Sequence, residues 1–248
     1  MPNVHIDFIR HGHSCANLAQ DLRGYGLYYK FVEHDPELSG EGVAMAEGVA
    51  KDIREQNPQN LEGTCPDLLI SSPLIRAIET AYLMYKNKRK IIIAPFLLEH
   101  GIGADNIPTS SVAEQDNILG DSYPALPSKL QRTTNAYHTE GNLNTFISWL
   151  KHTILSPEKT RGDKDIIVAV VTHSRLMRSD LHLPSKPNNQ SIYRVTYSFE
   201  EWAQLNTMKP LRYKTVQLIY AGYLPEKNKL LLQQYKKDSP KCGWFGKF

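Results

Sequence analysis

Four places in the sequence hold residue types that a phosphoryl group in transfer would need: Arg10-His11, Ser71-Ser72-Pro73 with Arg76 close behind, Glu99, and Thr172-His173-Ser174. An arginine is a permanently charged planar fork whose N–H groups match phosphoryl oxygens. A histidine near neutral pH offers either an unprotonated ring nitrogen as nucleophile or an N–H as donor. A glutamic acid can give a proton to a departing oxygen and later take one from water. Two arginines, two histidines and one carboxylate therefore describe phosphoryl transfer through a covalent phosphohistidine. The guanidinium groups neutralise the dianion, one imidazole attacks phosphorus in line, and the acid protonates the leaving group.

That chemistry requires the four places to meet, and the flanking residues supply elements that would bring them together. Val4–Ile9 alternates apolar and polar residues and breaks at Arg10-His11-Gly12, which predicts a strand running into a loop. Small and apolar residues at three- and four-residue spacing after Ser39 predict a helix. Asp67–Ser71 is a short apolar strand, and Pro73 suits the first turn of a helix over Leu74–Tyr85. Lys90–Ala94, Asp165–Val171, Ser191–Ser198 and Thr215–Gly222 read as further strands, and Leu143–Leu155 as an amphipathic helix. Strands alternating with helices predict an α/β fold with a mostly parallel central sheet covered on both faces. In such sheets functional groups gather at the carboxyl ends of strands. Arg10-His11, Ser71-Ser72-Pro73, Glu99 and Thr172-His173-Ser174 follow the first four strands, so all should share one edge. Residues 101–138, with scattered Gly, Pro, Ser and Asn and weak periodicity, read as an insertion or lid within one domain over 1–248.

The same residues carry a resemblance. Arg10-His11-Gly12-His13-Ser14-Cys15-Ala16-Asn17 resembles the RHGxSxxN signature of the histidine phosphatase superfamily, the phosphoglycerate mutase-like family. Leu38-Ser39-Gly40-Glu41-Gly42 resembles its LTxxG element. Ser71 to Ala81 resembles SSPLxRAxQTA, with Glu79 in place of Gln, and Val171-Thr172-His173-Ser174 resembles VTHG, with Ser174 in place of Gly. With Leu98-Glu99, which resembles the family's segment holding the acidic residue, five elements in family order make the resemblance specific. It implies a three-layer α/β/α fold with His11 phosphorylated and Arg10, Arg76 and His173 around the phosphate. Asn17 would line the same pocket. It implies Glu99 as the proton donor of branch 1, because the other branch carries its acid directly after the second histidine, where Ser174 stands. Glu114 or Asp105 could serve instead.

Composition narrows the function classes. The 248 residues are 41% hydrophobic and 22% charged, which fits a globular protein and excludes disordered or collagen-like chains. Lys plus Arg total 29 against 26 acidic residues, a net +3 too small to announce a nucleic-acid partner. The excess lies in a basic tail over 225–248, read as solvated. No apolar run is long enough to span a bilayer, and no leader-like segment opens the chain. The three cysteines, Cys15, Cys65 and Cys242, are widely spaced without a CxxC pair and are read as reduced thiols of a cytoplasmic protein, with Cys15 a packing residue. His11 and His13 form an H-x-H pair lacking a third ligand, so neither metal nor cofactor is expected. The expected activity is metal-independent hydrolysis of a phosphomonoester, on a small molecule or a phosphoprotein. Two alternatives stand beside it: phosphoglycerate mutase-type transfer, disfavoured by His13 and by Arg23-Gly24-Tyr25-Gly26, and a phosphate-binding module without catalysis.

Overall fold

Valine and isoleucine dominate the strand Ile166–Thr172 because its side chains are covered on both faces. Val168 and Val170 enter one apolar cluster, Ala169 and Val171 the other. The computed structural model describes residues 2–21, 34–56, 65–85, 89–101, 103–133, 141–156, 163–206, 208–212, 214–222 and Cys242. Its strands are β1 (Asn3–Arg10), β2 (Leu68–Ser71), β3 (Ile91–Ile93), β4 (Leu130–Arg132), β5 (Ile166–Thr172), β6 (Ile192–Ser198) and β7 (Val216–Tyr220). They form one sheet in the order β4-β3-β2-β5-β1-β6-β7. The pairs from β4 through to β1 are parallel, and β6 and β7 join antiparallel at one side. This is the mostly parallel α/β sheet expected.

Helices cover both faces. On one lie α2 (Gly40–Gln56), α3 (Ile75–Tyr85) and α4 (Val112–Ser122), whose Val49, Ile78 and Leu119 pack with Ile9, Leu69 and Val171. On the other lie α5 (Leu143–Trp149), α6 (Ser174–Asp180) and α7 (Phe199–Ala203), whose Phe146, Met177 and Trp202 pack with Ile6, Phe8 and Val170. Each fully buried large side chain contributes roughly 1.5–3 kcal/mol relative to exposure. Polar groups in these layers are paired at several points: Trp202 Nε1 donates to the Leu155 carbonyl at 3.0 Å, and Arg194 grips Asp7 across β1 and β6 at 2.6 and 2.8 Å. Among the described residues no helix is long and apolar enough to cross a membrane.

Three features depart from the sequence reading. Residues 101–138 hold α4 and the edge strand β4, so part of the expected lid belongs to the sheet itself. Only Gln115 and Leu119 of α4 are buried, which is why its periodicity is weak in the sequence. The helix expected over Leu143–Leu155 changes at Leu150 into a π-helical turn through Ile154. Cys15, at the start of α1 (Cys15–Asp21), is disulfide-bonded to Cys242, correcting the reading of three reduced thiols; Cys65 is free. A bond across 227 residues of sequence leaves no local spacing signal. Except for Cys242, the basic tail lies outside the described residues.

Candidate active site

β1 and β5 run side by side in register, Arg10 opposite Thr172, so the residues that follow leave the sheet at the same height. The backbone keeps them together past the strand ends. His11 N donates to the Thr172 carbonyl at 2.9 Å, and Ser72 N to the Val171 carbonyl at 2.9 Å. The ring centres of His11 and His173 are 5.1 Å apart. Arg10, His11, Asn17, Arg76 and Glu99 line one hollow of about 80 Å³ at the carboxyl edge of the sheet. His173 stands against it, fully buried, its Nε2 2.7 Å from the Ser72 hydroxyl. The four places singled out in the sequence thus meet at one edge.

The loop after β1 is fixed by close backbone approach. A Cβ on Gly42 would stand 1.9 Å from the His13 carbonyl oxygen, so the start of α2 can lie there only as glycine. Ser39 ties the same contact, its N donating to the His13 carbonyl at 3.0 Å and its hydroxyl accepting from Gly42 N at 3.1 Å. Thr80 on α3 accepts from Gly12 N at 2.9 Å and donates to the Arg76 carbonyl at 2.7 Å, which joins the loop to the helix carrying Arg76. Glu79, the departure from Gln, accepts from Leu38 N at 2.6 Å.

These contacts set the chemistry of His11. Its Nδ1 lies 2.6 Å from the Gly12 carbonyl, which can only accept, so Nδ1 carries the proton and Nε2 keeps its lone pair. Burial, followed by Arg76, His173 and Arg10 beside it, holds the imidazole well below its ordinary value, so it is neutral at physiological pH. His173 is held down in the same way by burial, Arg76 and Arg10. Both arginines are buried cations whose hydrogen bonds go to neutral groups. Arg10 Nη1 donates to the Pro187 carbonyl at 2.8 Å, while its Nε finds no hydrogen-bond partner among the described residues. Arg76 donates to the Asp105 carbonyl at 2.6 Å and to Asn106 Oδ1 at 3.0 Å. Burial lowers Arg10 to about 10 against the upward pull of Glu99, with Arg76 lowering it further; both arginines stay charged at neutral pH. Buried cations paired with neutral groups fit a site completed by an anion.

Glu99 is braced at the start of α6. Its Oε1 accepts from His100 N, Arg175 N and Leu176 N at 3.0–3.1 Å, and its Oε2 accepts from Ser174 Oγ and Arg175 N at 3.3 Å. Oε2, with only the longer contacts, is the oxygen freer to exchange a proton. The alternative carboxylates are placed differently. Glu114 is exposed, bonded to Ser110, and outside the hollow; Asp105 lines it but offers Arg76 its backbone carbonyl. Asn17 Oδ1 accepts from Ser14 N and Oγ at 3.1 and 3.2 Å. His13 is tied to Ser39 and Asp21, and among the described residues no cluster of three His, Cys, Asp or Glu side chains could hold a metal ion. Arg23 and Tyr25 lie outside the described residues.

Sequence reasoning missed Ser14, Gln20, Asn106 and Lys186, which also line the hollow. It also missed Asn189, whose Nδ2 donates to the His11 carbonyl at 2.9 Å. Asp35 was another. Fully buried with φ +46°, it accepts from Ile75 N at 2.7 Å and from Thr109 N and Oγ1 at 3.0 and 3.1 Å. It thereby ties the segment after Asn106 to the first turn of the helix bearing Arg76.

Burial raises Asp35 to about 6 despite those donors and Arg76. A carboxyl whose folded value lies above the unfolded one stabilises the fold at low pH, and that contribution fades as pH rises through the folded value. Between pH 4 and about 6 the wild type should lose roughly 3 kcal/mol, at about 1.4 kcal/mol per tenfold of proton affinity, that Asp35→Asn does not lose. Urea midpoints of both proteins at pH 4.5 and 7 check this; parallel changes would refute it.

Comparison with known proteins agrees with this architecture. A mycobacterial structure titled hydrolase 2 superposes with TM-score 0.52 at 18% identity, covering 95% of this chain and 99% of its own. Glucosyl-3-phosphoglycerate phosphatase from a mycobacterium gives 0.47 at 20% identity over 88% and 98% of the two chains. Phosphoglycerate mutase from Plasmodium falciparum gives 0.41 at 16% identity over 91% and 96%. The first of these likenesses, at 18% identity, concerns the fold alone. No curated protein sequence matches the chain. The family model described as histidine phosphatase superfamily (branch 1) matches residues 6–203, a span that opens in β1, closes in α7 and takes in every residue that lines the hollow; on that match the chain belongs to branch 1 of the histidine phosphatase superfamily.

Proposed function

We propose that this protein hydrolyses phosphomonoesters through a phosphohistidine on His11, with Glu99 as general acid and then general base. The observation that carries the reading is the His11 ring. It is neutral, its Nδ1 proton is held by the Gly12 carbonyl, and it lies between two buried guanidinium groups without carboxylate hydrogen bonds. The substrate phosphoryl group sits on Arg10, Arg76 and His173. His11 Nε2 forms the N–P bond as the ester P–O bond breaks opposite it, and protonated Glu99 gives its proton to the departing alkoxide. The resulting carboxylate then takes a proton from water, whose oxygen attacks phosphorus. The N–P bond breaks, releasing inorganic phosphate and neutral His11. The developing charge stays on groups fixed before reaction begins, and no metal is required by this scheme.

Substrates are phosphorylated small molecules or phosphoprotein side chains, selected in part by residues 101–138, which supply Asp105 and Asn106 to the hollow. The cytoplasmic expectation rested in part on reduced thiols, beside the short apolar runs and the opening residues. The Cys15–Cys242 bond removes that support and fits an oxidising compartment, where disulfides persist. The test of the activity is phosphate release from p-nitrophenyl phosphate and a panel of phosphorylated metabolites and phosphopeptides. In parallel, the enzyme is incubated with 3-phosphoglycerate and the bisphosphate primer. Rapid isomerisation without phosphate release would replace the hydrolase reading with a mutase, and inertness on every phosphoester would leave a binding module.

A further inference from the structure

Beyond the groups assigned to the transferred phosphate, two cations line the same hollow: Arg175 and Lys186. Each is held in place through the catalytic machinery. Lys186 precedes Pro187, whose carbonyl accepts from Arg10, so the loop carrying the ammonium is anchored on a phosphate-site guanidinium. Arg175 lies in the first turn of α6, where its backbone N donates to Glu99. Its Nη1 reaches back to the His100 carbonyl at 3.4 Å. That path crosses Gly101, which adopts φ +110° and whose Cβ, if present, would stand 2.3 Å from Arg175 Nη1. Glycine at 101 therefore admits the guanidinium beside the acid. Since Glu99 faces the leaving oxygen, Arg175 lies on the leaving-group side, not the phosphoryl side.

Charge counting shows what is missing. Among the described residues the lining holds four cationic side chains, Arg10, Arg76, Arg175 and Lys186, against the carboxyls of Glu99 and Asp105. With Glu99 protonated for its first step, one carboxylate and a phosphate dianion leave one cation uncompensated. Lys186 makes no hydrogen bond or ion pair with any described residue, and neither its ammonium nor the Arg175 guanidinium meets a carboxylate of a described residue within bonding distance. Burial and the neighbouring Arg10 lower the Lys186 ammonium, Glu99 pulls it up, Arg175 lowers it and Asp21 raises it.

We propose that Arg175 and Lys186 form a second anion subsite, and that the preferred substrates are phosphomonoesters bearing another anionic group, a carboxylate or second phosphoryl, on the leaving alcohol. This rests on the hydrolase reading of the same hollow. At two solvent-facing positions the effect should appear mainly in KM.

The experiment uses matched pairs. 3-Phosphoglycerate and glycerol 3-phosphate differ by a carboxylate against a hydroxymethyl group; fructose 1,6-bisphosphate and fructose 6-phosphate differ by a phosphoryl. Wild type should favour the anionic member of at least one pair tenfold or more in kcat/KM, and the pair that does so identifies the second anion. Lys186→Met and Arg175→Gln should each cut that ratio at least fivefold, through KM, with melting temperatures reported alongside. A wild-type ratio near one, or a ratio unmoved by both substitutions, overturns the subsite. Calorimetric binding of the same pairs to His11→Ala, with and without Lys186→Met, separates the two readings. If wild type hydrolyses nothing yet His11→Ala binds the anionic member more tightly and Lys186→Met removes the difference, the subsite stands and the hydrolase fails. Equal binding of both members refutes the subsite whatever the turnover.

Discussion

His11→Ala should lower phosphate release from p-nitrophenyl phosphate by three to six orders of magnitude, the range over which removal of a covalent nucleophile acts. The effect is that large because no neighbouring group can substitute. His173, the other imidazole, engages Ser72 through Nε2 and is assigned to the phosphate, and the remaining polar groups of the hollow are donors or carboxyls. The substitution should leave the fold intact, since among the described residues the one hydrogen bond of the His11 side chain is to the adjacent Gly12 carbonyl. A phosphoenzyme trapped by rapid denaturation in alkali, where a phosphorus–nitrogen bond on imidazole survives, should appear with wild type and vanish with His11→Ala. Turnover within tenfold of wild type would sink the phosphohistidine.

The direction of the His11 shift adds a pH signature. Burial, then Arg76, His173 and Arg10 beside the ring, keep it deprotonated below its ordinary value of 6.5. Protonation of the nucleophile therefore cannot be what lowers kcat/KM between pH 7 and 6.5; its acid limb lies lower. An unperturbed histidine in the same role would already lose half its activity at 6.5.

The sequence announced the centre of this protein better than its periphery, for physical reasons. β1, β2 and β5 are legible because strands buried on both faces must be apolar, and their abrupt polar ends, Arg10-His11, Ser71-Ser72 and Thr172-His173, mark where the sheet stops. Gly42 is legible as part of an element, yet its reason, the His13 carbonyl against its α-carbon, exists only in three dimensions. α4 hides because a helix with two buried residues has almost no period to show. Asp35 hides because one aspartate before a proline looks like any turn; its importance lies in two donors 40 and 74 residues away. Lys186 looks like a surface lysine until the Arg10–Pro187 bond places its loop at the hollow. Residue type speaks for chemistry, but only long-range contacts say which copies of a common residue share a site.

Eliminating the Cys15–Cys242 bond, by Cys15→Ser with Cys242→Ser or by a reductant, should cost roughly 2–5 kcal/mol of stability. In the chain-entropy account a cross-link restricts the unfolded ensemble more as the closed loop grows, and a separation of 227 residues encloses nearly the whole chain. The native side of the balance adds to it. The bond lies against Ala16, Ala19 and Leu18 of α1, a small cluster apart from the two large cores. α1 therefore depends on local ties more than the sheet does, and it carries Ala16, Asn17 and Gln20 into the wall of the hollow. Loss of the bond should raise KM as well as lower the urea midpoint, because the wall loosens before the sheet yields. The bond itself is checked by thiol titration of the denatured protein without reductant. One reactive thiol, Cys65, is expected, rising to three after reduction. Three thiols from the outset would refute the pairing, and an unchanged urea midpoint after reduction would show that α1 is held by other contacts.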